Sequence, residues 1–134
     1  ETERRGNVFA GVGDRLGFLG YAPVIKVSAL TGRGVHKILP ALFQARDDYE
    51  RRIPTASLNR VLAAAQAAHP APPVRGKRAR VLYGTQAATE PPTFTLFATR
   101  ALNPTYLRYL ENRIREAFDF KATPIKVRVR VRGG

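Results

Sequence analysis

Residues 24–38 read VIKVSALTGRGVHKI: an apolar run, a polar turn holding Gly32 and Gly34, then an amphipathic pattern. Strand, glycine turn and helix in that order can cradle a phosphate, because backbone amides and a helix N-terminus converge on it. The spacing does not complete such a site. A G-x-x-x-x-G-K-[ST] loop needs glycine before its lysine and a hydroxyl after it, and Lys37 has His36 and Ile38 in those places. A G-x-G-x-x-G turn fails too, since Lys37 stands where the third glycine belongs. Gly11–Gly17, GVGDRLG, has the wrong spacing and no strand in front of it. The glycines of residues 24–38 are therefore expected to serve the turn.

Two clusters of cations offer a different chemistry. VRGKRAR gathers Arg75, Lys77, Arg78 and Arg80, and the terminal IKVRVRVR puts Lys126, Arg128, Arg130 and Arg132 on one side of a strand. Contacts from such groups to phosphates give sequence-independent, salt-sensitive affinity. Charged edges that discourage aggregation are the plainer reading of either cluster alone. Tyr83, Phe94 and Phe97 are read as core residues rather than as platforms for bases. No nucleophile stands at a recognisable spacing from a base, and Glu90, Glu111, Glu116 and Asp119 are scattered. His36 and His69 are the two histidines, cysteine is absent, and no ligand-spaced metal cluster is expected.

The charge decides between the two readings of the cations. The chain of 134 residues carries 23 Lys and Arg against 10 Asp and Glu, a net +13. Residues 1–54 hold 9 basic and 6 acidic groups, whereas residues 55–134 hold 14 basic and 4 acidic. Both clusters lie in that second part, which favours contact with a polyanion. No apolar run approaches the roughly 20 residues of a membrane span. The first residues lack a signal-peptide core. A soluble, cytoplasmic protein is the expectation.

The elements that must hold these residues follow from periodicity. A buried strand is expected near 22–28 and a helix over about 34–53, irregular at Pro40 and ended by Pro54. Thr55 or Ser57 can cap the next helix, whose apolar stripe is Leu58, Val61, Leu62 and Ala65. HPAPP stops it. Strands are expected over 78–86 and 93–99, antiparallel neighbours despite a long connection. Asn103 caps a further helix with Pro104 in its first position. Its inner stripe is Tyr106, Leu107, Leu110, Ile114, Ala117 and Phe118. The last strand alternates strictly, with Ile125, Val127, Val129 and Val131 opposite its cations.

Residues 54–134 thus form an α-β-β-α-β unit of α+β class, a three-stranded sheet with helices on one face. That order suggests a KH-like fold, whose usual signature is a G-x-x-G clamp on the nucleic-acid backbone. GFLG, Gly17–Gly20, has the letters but lies outside the unit, so the fold is expected without the usual clamp. Residues 1–53 cannot form a domain alone, because one βα unit does not cover both faces of its strand. They read as the tail of a larger α/β domain. Gly6, Gly11, Gly13 and Gly17 make residues 1–21 a poor helix, at about 1 kcal/mol per interior glycine, so disorder or rearrangement is expected there.

From about Ala22 to Arg132 the chain resembles the C-terminal end of the EngA (Der) GTPases. SALTG, LNRVL, KRARVLYGTQ, PPTF and RYLENRIREAF occur in that family's order and spacing. The family has two tandem Era-like G domains and a C-terminal KH-like domain, and acts in assembly of the large ribosomal subunit in bacteria. The resemblance implies that residues 1–53 end the second G domain and residues 54–134 are the KH-like domain. It implies that Ser28, Ala29 and Leu30 belong to the loop that touches the guanine base, the alanine amide reading the guanine oxygen. GTP or GDP and magnesium would be cofactors of an intact parent. The phosphate loop and the N-K-x-D motif have no counterpart in these residues, so the chain alone is expected neither to hold a nucleotide tightly nor to hydrolyse it. Ribosomal RNA, the large subunit and the upstream G domains are the implied partners, with no membrane among them. The alternative is a protein-interaction module that packs on G domains and ribosomal proteins without touching RNA.

Overall fold

The computed structural model describes residues 2–132, the side chains of residues 2–7 and 9 excepted. In chain order the elements are helix α1 (Thr2–Arg15), a 3-10 turn (Gly17–Leu19), a second 3-10 turn (Val35–Lys37), helices α2 (Ile38–Glu50) and α3 (Thr55–Ala68), strands β1 (Val81–Ala88) and β2 (Thr93–Ala98), helix α4 (Pro104–Ala117) and strand β3 (Lys126–Val131). The sheet order is β1-β2-β3. The hairpin pair β1–β2 is antiparallel and the crossover pair β2–β3 is parallel. Residues 54–132 are thus the expected α-β-β-α-β unit.

Alternation along the strands decides which residues meet. Phe94, Leu96 and Ala98 of β2 are completely buried, together with Leu58 and Ala65 of α3 and Leu110 and Ile114 of α4. Val127 and Val129 of β3 complete that layer. The sheet therefore has one face under α3 and α4 and one face open. Helix α3 comes closest at Gly84, where an added Cβ would stand 2.8 Å from Leu62 Cδ1 and 2.9 Å from Leu96 Cδ2. Both leucines are buried and have no empty space to retreat into. Gly84→Val should destabilise the unit by about 1–3 kcal/mol through overpacking. Urea unfolding would show it as a lower midpoint at unchanged slope.

Side-chain amides tie helix to strand. Asn59 Oδ1 accepts from Gly84 N (2.8 Å) and its Nδ2 donates to Gly84 O (2.9 Å). One helical step of seven residues on, Gln66 Oε1 accepts from Val81 N (2.8 Å) and its Nε2 donates to Val81 O (3.1 Å). These groups lie along the outer edge of β1, which among the described residues has no strand beside it.

Several expectations are corrected. Residues 22–28 form no strand; among the described residues the only sheet is β1-β2-β3, and a segment without a neighbouring strand has no ladder to join. The helix expected to reach 53 ends at Glu50, because Arg51–Ile53 turn away to meet β1. Its irregular start is the 3-10 turn at Val35–Lys37, which leaves Pro40 in the first turn of α2, where a missing N–H costs nothing. Residues 2–15 are helical despite Gly6, Gly11 and Gly13, so the glycine penalties do not prevent the helix. Helix α3 starts at Thr55 with Pro54 in the cap position, and neither Thr55 nor Ser57 caps it. The first strand of the hairpin begins at Val81 rather than 78. The Asn103 cap is formed: Thr105 N donates to Asn103 Oδ1 (2.8 Å), with Pro104 in the first turn.

Candidate nucleic-acid interface

Strand β3 has no helix-facing position for its charged residues. Its register sets Lys126 beside Thr93, Arg128 beside Thr95 and Arg130 beside Phe97, all on the open face. Lys126, Arg128 and Arg130 are exposed. Four residue steps along β3 carry the row from Lys126 to Arg130, so it spans about 13 Å. Arg132 follows, its N donating to Ala98 O (2.9 Å).

The other cluster is carried by a tight turn. Val74 and Lys77 exchange backbone hydrogen bonds (2.8 and 3.1 Å), and Arg75 and Gly76 between them have φ of 51° and 73°. This left-handed turn lifts Arg75 and Lys77 into solvent. Arg78 and Arg80 border a shallow groove between α3 and the start of β1. The start of β1 is bonded to the end of β2, which pairs with the end of β3. The structure therefore brings Arg80 and Arg132 to one end of the sheet, on opposite edges of it, and leaves Lys126 at the far end. Among the described residues, none of Arg75, Lys77, Arg78, Arg80, Lys126, Arg128, Arg130 and Arg132 forms an ion pair, whereas Arg46, Arg51, Arg113, Arg115 and Lys121 do.

Two aromatic residues belong to this surface and not to the core. Phe94 is buried as expected. Tyr83 and Phe97 are only half-buried, on the open face, stacked with centroids 4.6 Å apart and planes 21° from parallel. A bulge between Val81 and Tyr83 shifts the alternation of β1 and puts Tyr83 opposite Phe97. Aromatic content alone does not carry that information; the register does.

The loop after Val27 is a compact turn. Ser28 N donates to Arg33 O (2.9 Å), Gly32 N to Ser28 O (2.8 Å), and Thr31 N to Ser28 Oγ (3.2 Å). Gly34 has φ of 80°, and a Cβ there would sit 2.0 Å from Lys26 O, so only glycine fits. Ala29 and Leu30 project from the turn, Leu30 at 96% exposure.

The joint between the two parts of the chain rests on residues that spacing does not reveal. Asp48, at the end of α2, is 1% exposed. Its Oδ2 accepts from Lys121 N (3.2 Å) and Ala122 N (3.3 Å), and its Oδ1 from Gln44 Nε2 (3.0 Å), with Arg51 Nη2 at 3.5 Å. Arg51 also donates to Phe118 O and lies over the Phe120 ring, 4.3 Å from its centroid. Gln86 of β1 holds the connection: its Oε1 accepts from Ile53 N (2.6 Å) and its Nε2 donates to Arg51 O (2.9 Å). Arg115 ties α4 to the segment before β3, donating to Phe120 O (3.2 Å) and Thr123 O (2.7 Å). Burial pulls its guanidinium below the usual arginine range, opposed by Glu111 and by Tyr21, whose ring it overlies. Among the described residues no group of His, Asp or Glu side chains could hold a metal, and no helix is long and apolar enough to cross a membrane.

The α-β-β-α-β order on a mixed three-stranded sheet defines a KH-like α+β domain, here with its cations on the open sheet face. Residues 52–130 match the family described as the KH-domain-like C-terminal part of the EngA bacterial GTPase enzymes, and the chain belongs to that family. It is 45% identical over 132 residues to a protein named GTPase Der from Streptomyces coelicolor, which covers 98% of this chain and 28% of the relative. Over 115 residues it is 51% identical to GTPase Der of Mycobacterium avium, and over 119 residues 47% identical to that of Corynebacterium glutamicum. Those alignments cover 85% and 88% of this chain and 24% and 23% of the relatives. The chain spans about a quarter of the length of the curated relatives it matches.

Proposed function

We propose that this chain is the C-terminal part of a cytoplasmic GTP-binding protein that acts in assembly of the large ribosomal subunit, and that its KH-like domain contacts ribosomal RNA. The observation that carries the RNA contact is the set of eight cations without a carboxylate partner among the described residues, three of them in file along β3 and a fourth just past its end. Cations kept free of acids on the same surface are available to phosphates. Residues 1–53 are assigned to the end of the second G domain. Supporting this, Val24, Val27, Leu30, Leu39, Leu42 and Phe43 are all more than half exposed, as expected where a partner layer belongs. Ser28, Ala29 and Leu30 are assigned to the guanine-base loop. Among the described residues nothing takes the Ala29 N–H, which leaves it free to donate to a purine carbonyl. GTP or GDP, with magnesium, would occupy the intact parent and set how the KH-like domain is placed against its neighbours.

Arg128→Glu with Arg130→Glu should weaken binding to a ribosomal RNA fragment by at least tenfold at low salt and flatten the dependence of log K on log salt. The competing reading makes the domain a protein-docking module. Salt-independent binding, or unchanged binding by the double variant, would favour that reading.

A further inference from the structure

We propose that the open sheet face binds a single-stranded stretch of RNA by stacking an unpaired base on the Tyr83–Phe97 pair. This rests on the RNA contact proposed above and names the kind of RNA and the residues that select it. The two rings are register partners on neighbouring strands and lie nearly parallel, 4.6 Å between centroids. Stacked face to face, they form an apolar pair on a face that α3 and α4 do not cover. The core has its own aromatic contacts, Phe94 against Phe120 among them, on the other side of the sheet. Partly exposed rings on a solvent face are otherwise a liability.

Their surroundings select a nucleic acid over an apolar partner. Arg130 is the register partner of Phe97 on β3, and Arg128 lies one row along. Arg132 reaches across the sheet, its guanidinium 5.3 Å from both ring centroids. Among the described residues no side-chain hydrogen bond holds that guanidinium, so it can stack on a base or swing to a phosphate. An aromatic step beside a file of cations is the chemistry that binds single strands, with the rings taking bases and the cations the backbone. A duplex keeps its bases stacked inside and offers the rings nothing. This use of the sheet is independent of a G-x-x-G clamp.

The test uses the whole chain and two fluorescein-labelled probes, a ten-nucleotide RNA of mixed sequence and the same RNA annealed to its complement. Tyr83→Leu with Phe97→Leu keeps apolar bulk but removes the π-faces. It should lose about tenfold or more in affinity for the single strand, with duplex affinity and salt slope unchanged. Equal retention of both probes overturns the stacking. If Arg128→Glu with Arg130→Glu still weakens both, the cation reading survives that failure. If the wild-type chain binds neither probe, both readings fall. Should the leucine variant not fold, Tyr83→Trp supplies the second measurement, because the chain contains no tryptophan. Its emission should be quenched by the single strand and unaffected by the duplex. Quenching by neither RNA, or a shift only on adding RNA-free ribosomal proteins, overturns the proposal.

Discussion

Phe94→Ala should lower the unfolding free energy by about 3–5 kcal/mol, the range for truncating a buried phenylalanine. The ring lies near the start of β2, the middle strand, wholly buried, with Gln86 beside it on β1 and Val127 on β3. Its edge meets Phe120, centroids 6.2 Å apart and planes at 66°. Phe120 in turn lies beneath Arg51. The cavity would therefore open between the sheet and the joint to α2, where neither strand nor helix can close in without breaking other contacts. Native domains have only about 5–15 kcal/mol to lose, so the variant should sit near its unfolding midpoint at room temperature. Phe94→Leu, which refills most of the space, should recover the larger part. Urea denaturation followed by far-UV circular dichroism measures both. A loss under about 1 kcal/mol for the alanine variant would mean that the core is not closed around this ring.

Asp48→Ala is the second large effect, and it should be local. Removing the carboxylate strands two part-buried amides, Lys121 N and Ala122 N, and leaves Arg51 without its acid. Hydrogen bonds to a charged group are worth about 1.5–3 kcal/mol each when a partner is lost. The expected outcome is a freed C-terminal turn of α2 and a loosened segment 118–122, with the sheet intact. Hydrogen exchange resolves this: the Lys121 and Ala122 amides should exchange at least tenfold faster, while Leu96 and Ala98 keep their protection. Asp48→Asn, which keeps one acceptor oxygen, should fall between. Unchanged exchange at both amides would show that the carboxylate does not fasten the two parts.

Local signals made much of the fold legible. Strict alternation from Ile125 to Arg132 placed β3 and its cations on the correct faces, because period two needs no tertiary information. The Asn103-Pro104 start of α4 was readable for the same reason: a cap is satisfied within three residues. What escaped detection depends on distant partners. The strand expected near 22–28 has the composition of a strand, but strand formation requires a neighbour, and none lies in the described residues. Asp48 resembles any other acid of a surface helix until residues 121 and 122 arrive beside it, 73 and 74 positions along the chain. Gln86, Asn59 and Gln66 act on backbone groups 15 to 35 residues away. The Tyr83–Phe97 step depends on a one-residue bulge, and a shift of one residue exchanges the two faces of a strand.

The amides of Asn59 and Gln66 also determine how this protein can associate. By occupying backbone groups along the free side of β1, they remove the template on which another strand could grow. Among the described residues the sheet is left open to extension along β3. That side presents alternating positive charges, so a second copy approaching it edge to edge meets like charge at every other residue. The same row that suits a polyanion thus acts as a barrier to self-assembly, and neutralising it should make the chain prone to pair with itself.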